Sequence, residues 1–448
     1  MSGGTFDERD PCAERGSFDV GGAGPARGTS SGAGPGGGGR CNGPGPGVRT
    51  YPDWWPGRFR SYIEACTAYL VDRIGERNVR TVILSGSFAL NEGSVLFLES
   101  GPLFLSDIDL LIVLDSPEAH AWAYGHRSEL GEACEGLLPD AAFSGRFDVG
   151  TFLPGELRRL PSRPGVFDLK AHGVVLWGDG DVLSLVPGYR ESQIGGEEAL
   201  VLLENRVLSL LGEYPGSDAA TSDITPSFRY GIARVYTDIA TAALCLAHSY
   251  HPGYAVRARL VEERADAGPI DRLVPRSLVA QVVRWTRFKL DPSLGHRELG
   301  GERNTPLEIW EAAAGAVLDT WKRGASYLLD PREGTVDHPR AESLIRLRTG
   351  RGGGLDRLRF WKARLSRVPL AERIRVVASM RGDLLRIDPL EAIRYDGIRL
   401  IEHRLHAAAD CPLPQLSFVA CGGGGSWEEA AARAHRMWAE IVFGGKDT

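Results

Sequence analysis

The stretch that decides the reading is Leu84–Asp115, LSGSFALNEGSVLFLESGPLFLSDIDLLIVLD. The short apolar run Thr81-Val-Ile-Leu84 leads into Gly86 and Ser87. Asp107 and Asp109 then open a second apolar run, Leu110 to Leu114. Side chains alternate along a strand, so Asp107 and Asp109 share one face while Ile108 points into a core. Two carboxylates on one face repel each other unless a cation neutralises them. A hard, oxygen-seeking ion such as Mg²⁺, with Mn²⁺ as an alternative, suits them. A glycine beside a small hydroxyl residue lets backbone N–H groups come close to phosphates.

A third acid stands further along, in the alternating run Gly145-Arg-Phe-Asp148-Val-Gly-Thr-Phe152. Phe147, Val149 and Thr151 fall on one face, Asp148 and Gly150 on the other. Asp140 and Asp168 are nearby competitors for the same role. Together these motifs resemble the nucleotidyltransferase superfamily of the DNA polymerase β type. Its pattern is Gly-Ser, an Asp-x-Asp pair on a strand, and a third carboxylate on a later strand. The resemblance covers roughly residues 57 to 185. It departs from the compact form in the long interval between Ser87 and Asp107. The excess, Glu92 to Phe104, carries Gly93, Gly101 and Pro102 and reads as an inserted hairpin or loop.

The resemblance implies specific roles. Asp107, Asp109 and Asp148 would hold two Mg²⁺ ions, with Asp148 also a candidate general base. Gly86 and Ser87 would bind the phosphates of an NTP co-substrate, ATP among the candidates. The implied reaction moves a nucleoside monophosphate to a hydroxyl of a small molecule or a protein and releases pyrophosphate. The layout is similar to stand-alone and aminoglycoside nucleotidyltransferases with a helical C-terminal domain. One alternative is a toxin–antitoxin-type nucleotidyltransferase acting on a partner protein. Arg399 and His406 have the spacing of a ribonuclease motif found in helical partners of such enzymes. Another alternative is a non-catalytic nucleotide-binding sensor.

Composition narrows the class. The chain has 448 residues, 43% of them hydrophobic and 25% charged, which is ordinary for a globular protein. A net charge of −6 does not suggest a broad nucleic-acid-binding surface. Seven dispersed cysteines without Cys-x-x-Cys spacing argue against a zinc ribbon and for reduced thiols. No run is long and apolar enough for a membrane span, and the first residues lack a signal peptide's apolar stretch, so a cytoplasmic protein is expected.

The expected fold class is α+β: a small mixed-sheet catalytic domain followed by an all-α domain. Residues 1–48 are rich in Gly, Ser and Pro and are expected to be disordered. Residues 49–190 form the catalytic domain, 195–335 the helical domain and 350–448 an additional helical region. Helices are predicted over Pro56–Glu76, from Ser116-Pro117 to about Gly136, and over Glu197–Gly212, Ser227–Tyr250, Arg257–Asp266, Asp271–Lys289 and Pro306–Leu329. Further ones are predicted near Leu355–Arg367, Pro389–Ala409 and Ser426–Phe443. Trp285, Trp310 and Trp321 read as core. Arg234 and Asp238 share a helix face at a spacing that suits a surface ion pair.

Overall fold

In the computed structural model the described residues are 55–220, 224–294, 304–329, 389–406 and 426–443. The expected disordered segment 1–48, the break at 350–354 and the helix near 355–367 lie outside them. The described chain is mixed α and β and divides into two compact units. A sheet unit comprises residues 55–158 and 168–186. A helical unit comprises 159–167 and those from 187 onward.

The sheet unit begins with α1, Trp55–Ile74, whose apolar positions Tyr62, Ile63, Cys66, Leu70 and Ile74 are buried. The strands β1 (Val79–Ser85), β4 (Ile108–Leu114), β6 (Phe147–Phe152) and β7 (Val174–Gly178) form a mixed sheet in the order β6-β4-β1-β7. β1 is antiparallel to β4 and β7, while β4 and β6 run parallel. Period-two alternation sends Val82, Leu84, Ile108, Leu110, Ile112, Phe147 and Val149 into one core with α1.

The long interval after Ser87 is a hairpin, as its glycines and proline suggest. β2 (Val95–Leu98) and β3 (Gly101–Phe104) pair antiparallel, and the two-residue β5 (Ala142–Phe143) adds to β3. Gly101 has φ 127°, and a Cβ there would lie 1.9 Å from the Asp140 carbonyl oxygen. Only glycine permits both. Phe104 is buried under Trp55, Phe59, Phe88 and Phe143, which locks the hairpin onto α1.

The segment after β4 starts as expected. The Ser116 hydroxyl accepts from the Ala119 N–H at 3.2 Å, and Pro117 opens α3. The predicted single helix is two, α3 (Pro117–Gly125) and α4 (Arg127–Glu135). His126 breaks it by leaving helical geometry and bonding its ring Nδ1 to the Trp122 carbonyl at 2.8 Å. Phe167-Asp-Leu-Lys170 lies in a helix too: after the one-turn α5 (Pro154–Leu157), α6 spans Pro164–His172. The one-turn α2 (Gly86–Ala89) follows β1.

In the helical unit, α8 (Pro226–Leu246) is buried along most of its length. It is apolar nearly all round, the mark of a central helix. Around it pack α7 (Gly196–Gly212), α9 (Tyr254–Glu263), α11 (Arg276–Leu290) and α12 (Pro306–Leu329). The predicted helix over Asp271–Lys289 is divided into α10 (Gly268–Leu273) and α11. Pro275 lacks an N–H and holds Val274 in extended geometry, φ −124° and ψ 101°. Two tail helices, α13 (Pro389–His406) and α14 (Trp427–Phe443), pack on α7 and on each other. Trp285, Trp310 and Trp321 are buried, as their spacing predicts. The described cysteines Cys66, Cys134 and Cys245 are buried thiols. Among the described residues no helix is long and apolar enough to cross a membrane.

Candidate active site

Three strand ends meet at one end of the four-stranded sheet. β1 finishes at Ser85, while β4 and β6 begin with Ile108 and Phe147. Ser85 stands opposite Asp109 in the antiparallel pair, and Asp109 stands beside Asp148 in the parallel pair. Residues in register across adjacent strands point to the same face, with strands about 4.8 Å apart. Ser85, Asp109 and Asp148 therefore form a row across three strands, on the face opposite the α1 core. Gly86 and Ser87 follow at once in α2.

Burial grades along this row. Asp109 is 7% exposed, Asp107 is half-buried and Asp148 is exposed. The Ser85 hydroxyl donates to the Asp109 backbone carbonyl at 3.4 Å. Asp107 lies just before β4, and its Oδ1 accepts the Arg146 N–H at 2.8 Å. The Ile108 N–H in turn donates to the Arg146 carbonyl at 2.8 Å. These two bonds clamp the start of β4 to the start of β6 and fix the register that sets Asp109 beside Asp148.

Two further residues, Gly145 and Ser106, make this possible. A Cβ on Gly145 would fall 2.6–2.8 Å from backbone atoms of Ser106 and Asp107, so only glycine lets the loops approach this closely. Ser106 Oγ accepts the Ser94 N–H at 2.7 Å, which ties the inserted hairpin to the turn before Asp107. The small residues around Asp107 were the available signal. Gly86, at φ 72°, occupies the left-handed region at the turn out of β1.

The competing residues lie elsewhere. Asp140 forms an ion pair with Arg58, and the guanidinium holds its carboxyl below the usual range. Asp168 is buried within α6. Only Asp148 of the three is in register with Asp109. Lys170 donates to the Leu183 carbonyl at 2.7 Å. Glu92 is half-buried, its N–H bonded to the Ser87 carbonyl. In the helical unit, Asp238 pairs with Arg206 of α7 at 2.7 Å. Arg234 lies over the Tyr230 ring at 6.0 Å. Arg399 lies over the Tyr395 ring on α13, which also carries His406.

The donor set suits a hard divalent cation: three carboxylates at one end of one sheet. Among the described residues, no three His, Cys, Asp or Glu side chains are drawn into one cluster fit to hold a metal. Asp107 turns one oxygen to the Arg146 N–H, while Asp109 and Asp148 stand side by side. No protein-family model, curated protein or solved structure matches the chain.

Proposed function

We propose that the sheet unit is a nucleotidyltransferase, which transfers a nucleoside monophosphate from an NTP to a hydroxyl of a small-molecule or protein acceptor. The observation that carries this reading is the register Ser85–Asp109–Asp148, with Gly86-Ser87 directly after the first member and Asp107 two residues before the second. Mg²⁺ bound by Asp107, Asp109 and Asp148 would offset triphosphate charge and polarise the reacting oxygens. Asp109, buried and set by its strand, positions the shared site. Asp107 joins it by releasing the Arg146 N–H, which water or phosphate can then satisfy. Asp148, exposed beside it, is accessible to an acceptor.

In this reading the acceptor oxygen attacks the α-phosphorus, and a new P–O bond forms as the bond to the pyrophosphate oxygen breaks. Asp148 takes the hydroxyl proton. Gly86 leaves the Ser87 backbone N–H approachable by the departing phosphates. The test is incubation of the full chain with NTPs radiolabelled at the α-phosphate, Mg²⁺ or Mn²⁺, and cell lysate as acceptor source. Label moves to an acceptor with the native chain and not with Asp109→Asn. Equal transfer by both proteins refutes the site, and no transfer with any NTP, despite metal-dependent binding, favours a sensor.

A further inference from the structure

A cavity of about 380 Å³ lies in the helical unit, between α11 and α12 and against α8. Its size falls in the range of small-molecule sites. One wall is the stripe Ala312, Gly315 and Ala316 on α12, spaced so that all three share a helix face. The stripe is flat because none of these side chains extends beyond Cβ.

Gly315 is the informative member. A glycine inside a long helix costs about 0.5–1 kcal/mol relative to alanine, so it usually marks a close packing contact. Here a Cβ would meet no described atom within 4 Å. Packing does not require this glycine; the effect of its bareness is to keep the slot open.

Two arginines and two acids, Glu311 and Asp319, line the slot, and they differ in how they are engaged. Arg229 and Arg284 both line it. The Arg229 Nε–H is sealed from solvent and has no hydrogen-bond partner among the described residues. Among the described residues, Arg284 makes only a long 3.4 Å bond to Gln281. Burial pulls the pKa of Arg229 down, so an incoming anion would relieve an existing penalty. Burial also pushes the Tyr236 hydroxyl up to about 12, against the pull of the Arg284 guanidinium. The two acids of the slot are already engaged: Glu311 with Arg404 at 3.6 Å and Asp319 with Arg323 at 2.8 Å. The parallel rings of Tyr236 and Trp285, 5.9 Å apart with an interplanar angle of 1°, also line the slot.

We propose that this slot binds a small planar anion, its ring against the Ala312–Gly315–Ala316 wall and its carboxylate or phosphate on Arg229 and Arg284. The site lies wholly in the helical unit and does not depend on the nucleotidyl-transfer reading. Calorimetric titration of the full chain with 2-naphthoate, and separately with its uncharged analogue 2-naphthamide, tests it. The expected result is one saturable site with naphthoate bound at least about tenfold more tightly, in line with a charge-assisted hydrogen bond. Arg284→Gln removes the preference for the charged probe. Gly315→Leu abolishes binding of both while the chain stays folded, since the added side chain enters open space and leucine favours the helix. Failure of naphthoate to bind, equal affinity for the two probes, or binding that survives Gly315→Leu each overturns the proposal.

Discussion

At the start of β4 the strand register sets Asp109 beside Asp148, two groups of the same sign. Between α7 and α8 the helix packing sets Arg206 against Asp238, two groups of opposite sign, 4% and 2% exposed. Taken as pairs, the first two groups repel each other and the second two attract. Natural folds tolerate the first kind of cost mainly where a site needs it, and use the second kind to satisfy groups that packing has already desolvated. The helical unit repeats the second kind: the Trp321 indole donates to Glu204 at 2.9 Å, and Arg394 Nε to the Asn205 side-chain oxygen at 3.0 Å. Acids in the two units should therefore respond oppositely to removal.

The largest expected effect is on chemistry. Asp109→Asn should lower nucleotidyl transfer on the order of 10³-fold, from several kcal/mol of lost charge stabilisation. Its urea midpoint should stay the same or rise, because a like-charge repulsion is removed. A drop in midpoint without loss of transfer would break the contrast. Asp238→Ala should do the reverse, costing about 3–5 kcal/mol of stability by leaving Arg206 buried and unmatched. Urea unfolding followed by tryptophan fluorescence measures it.

Smaller effects sharpen the comparison. Trp321→Phe keeps an aromatic ring in the core but removes the donor to Glu204. It should cost about 1–3 kcal/mol, and Glu204→Gln combined with it should recover part of the loss. Gly145→Ala should displace the turn holding Asp107, at about 1–3 kcal/mol for the overpacking, with reduced transfer and a weaker dependence of transfer on Mg²⁺ concentration. The smallest expected effect is at Glu213, whose pKa burial raises despite the opposing pull of Arg234 and Arg206. A folded-state pKa above the unfolded one means the stabilising contribution is present below about pH 4.5 and is lost as pH rises through the folded value. Glu213→Gln should therefore unfold at a higher temperature than the native chain at pH 7, with the advantage gone at pH 4.

Much of the site was legible because it rests on local rules. The alternation of Asp107, Ile108 and Asp109 needs only strand geometry, and the Ser116-Pro117 helix start needs only capping chemistry. The insert between Ser87 and Asp107 announced its hairpin through Gly101 and Pro102. Helix breaks were less legible. Pro275 was visible, yet the apolar period ran through it. The His126 break depends on that residue leaving helical dihedrals while its ring Nδ1 joins its own backbone N–H at the Trp122 carbonyl. The Arg206–Asp238 pair was not legible for a related reason: i, i+4 spacing names partners within one helix, whereas Arg206 reaches Asp238 from α7.

Residue order alone thus determined the element types around the site, the shared face of Asp107 and Asp109, and the apolar nature of α8, since each follows from side-chain period within one element. Only the tertiary structure decided that Asp148, and neither Asp140 nor Asp168, stands beside Asp109, that Asp238 meets Arg206, and that Gly315 lines an open slot together with two arginines. Those are relations between elements far apart in the chain. They are set by strand register and helix packing, which minimise the energy of the whole core and leave no periodic trace in any one segment.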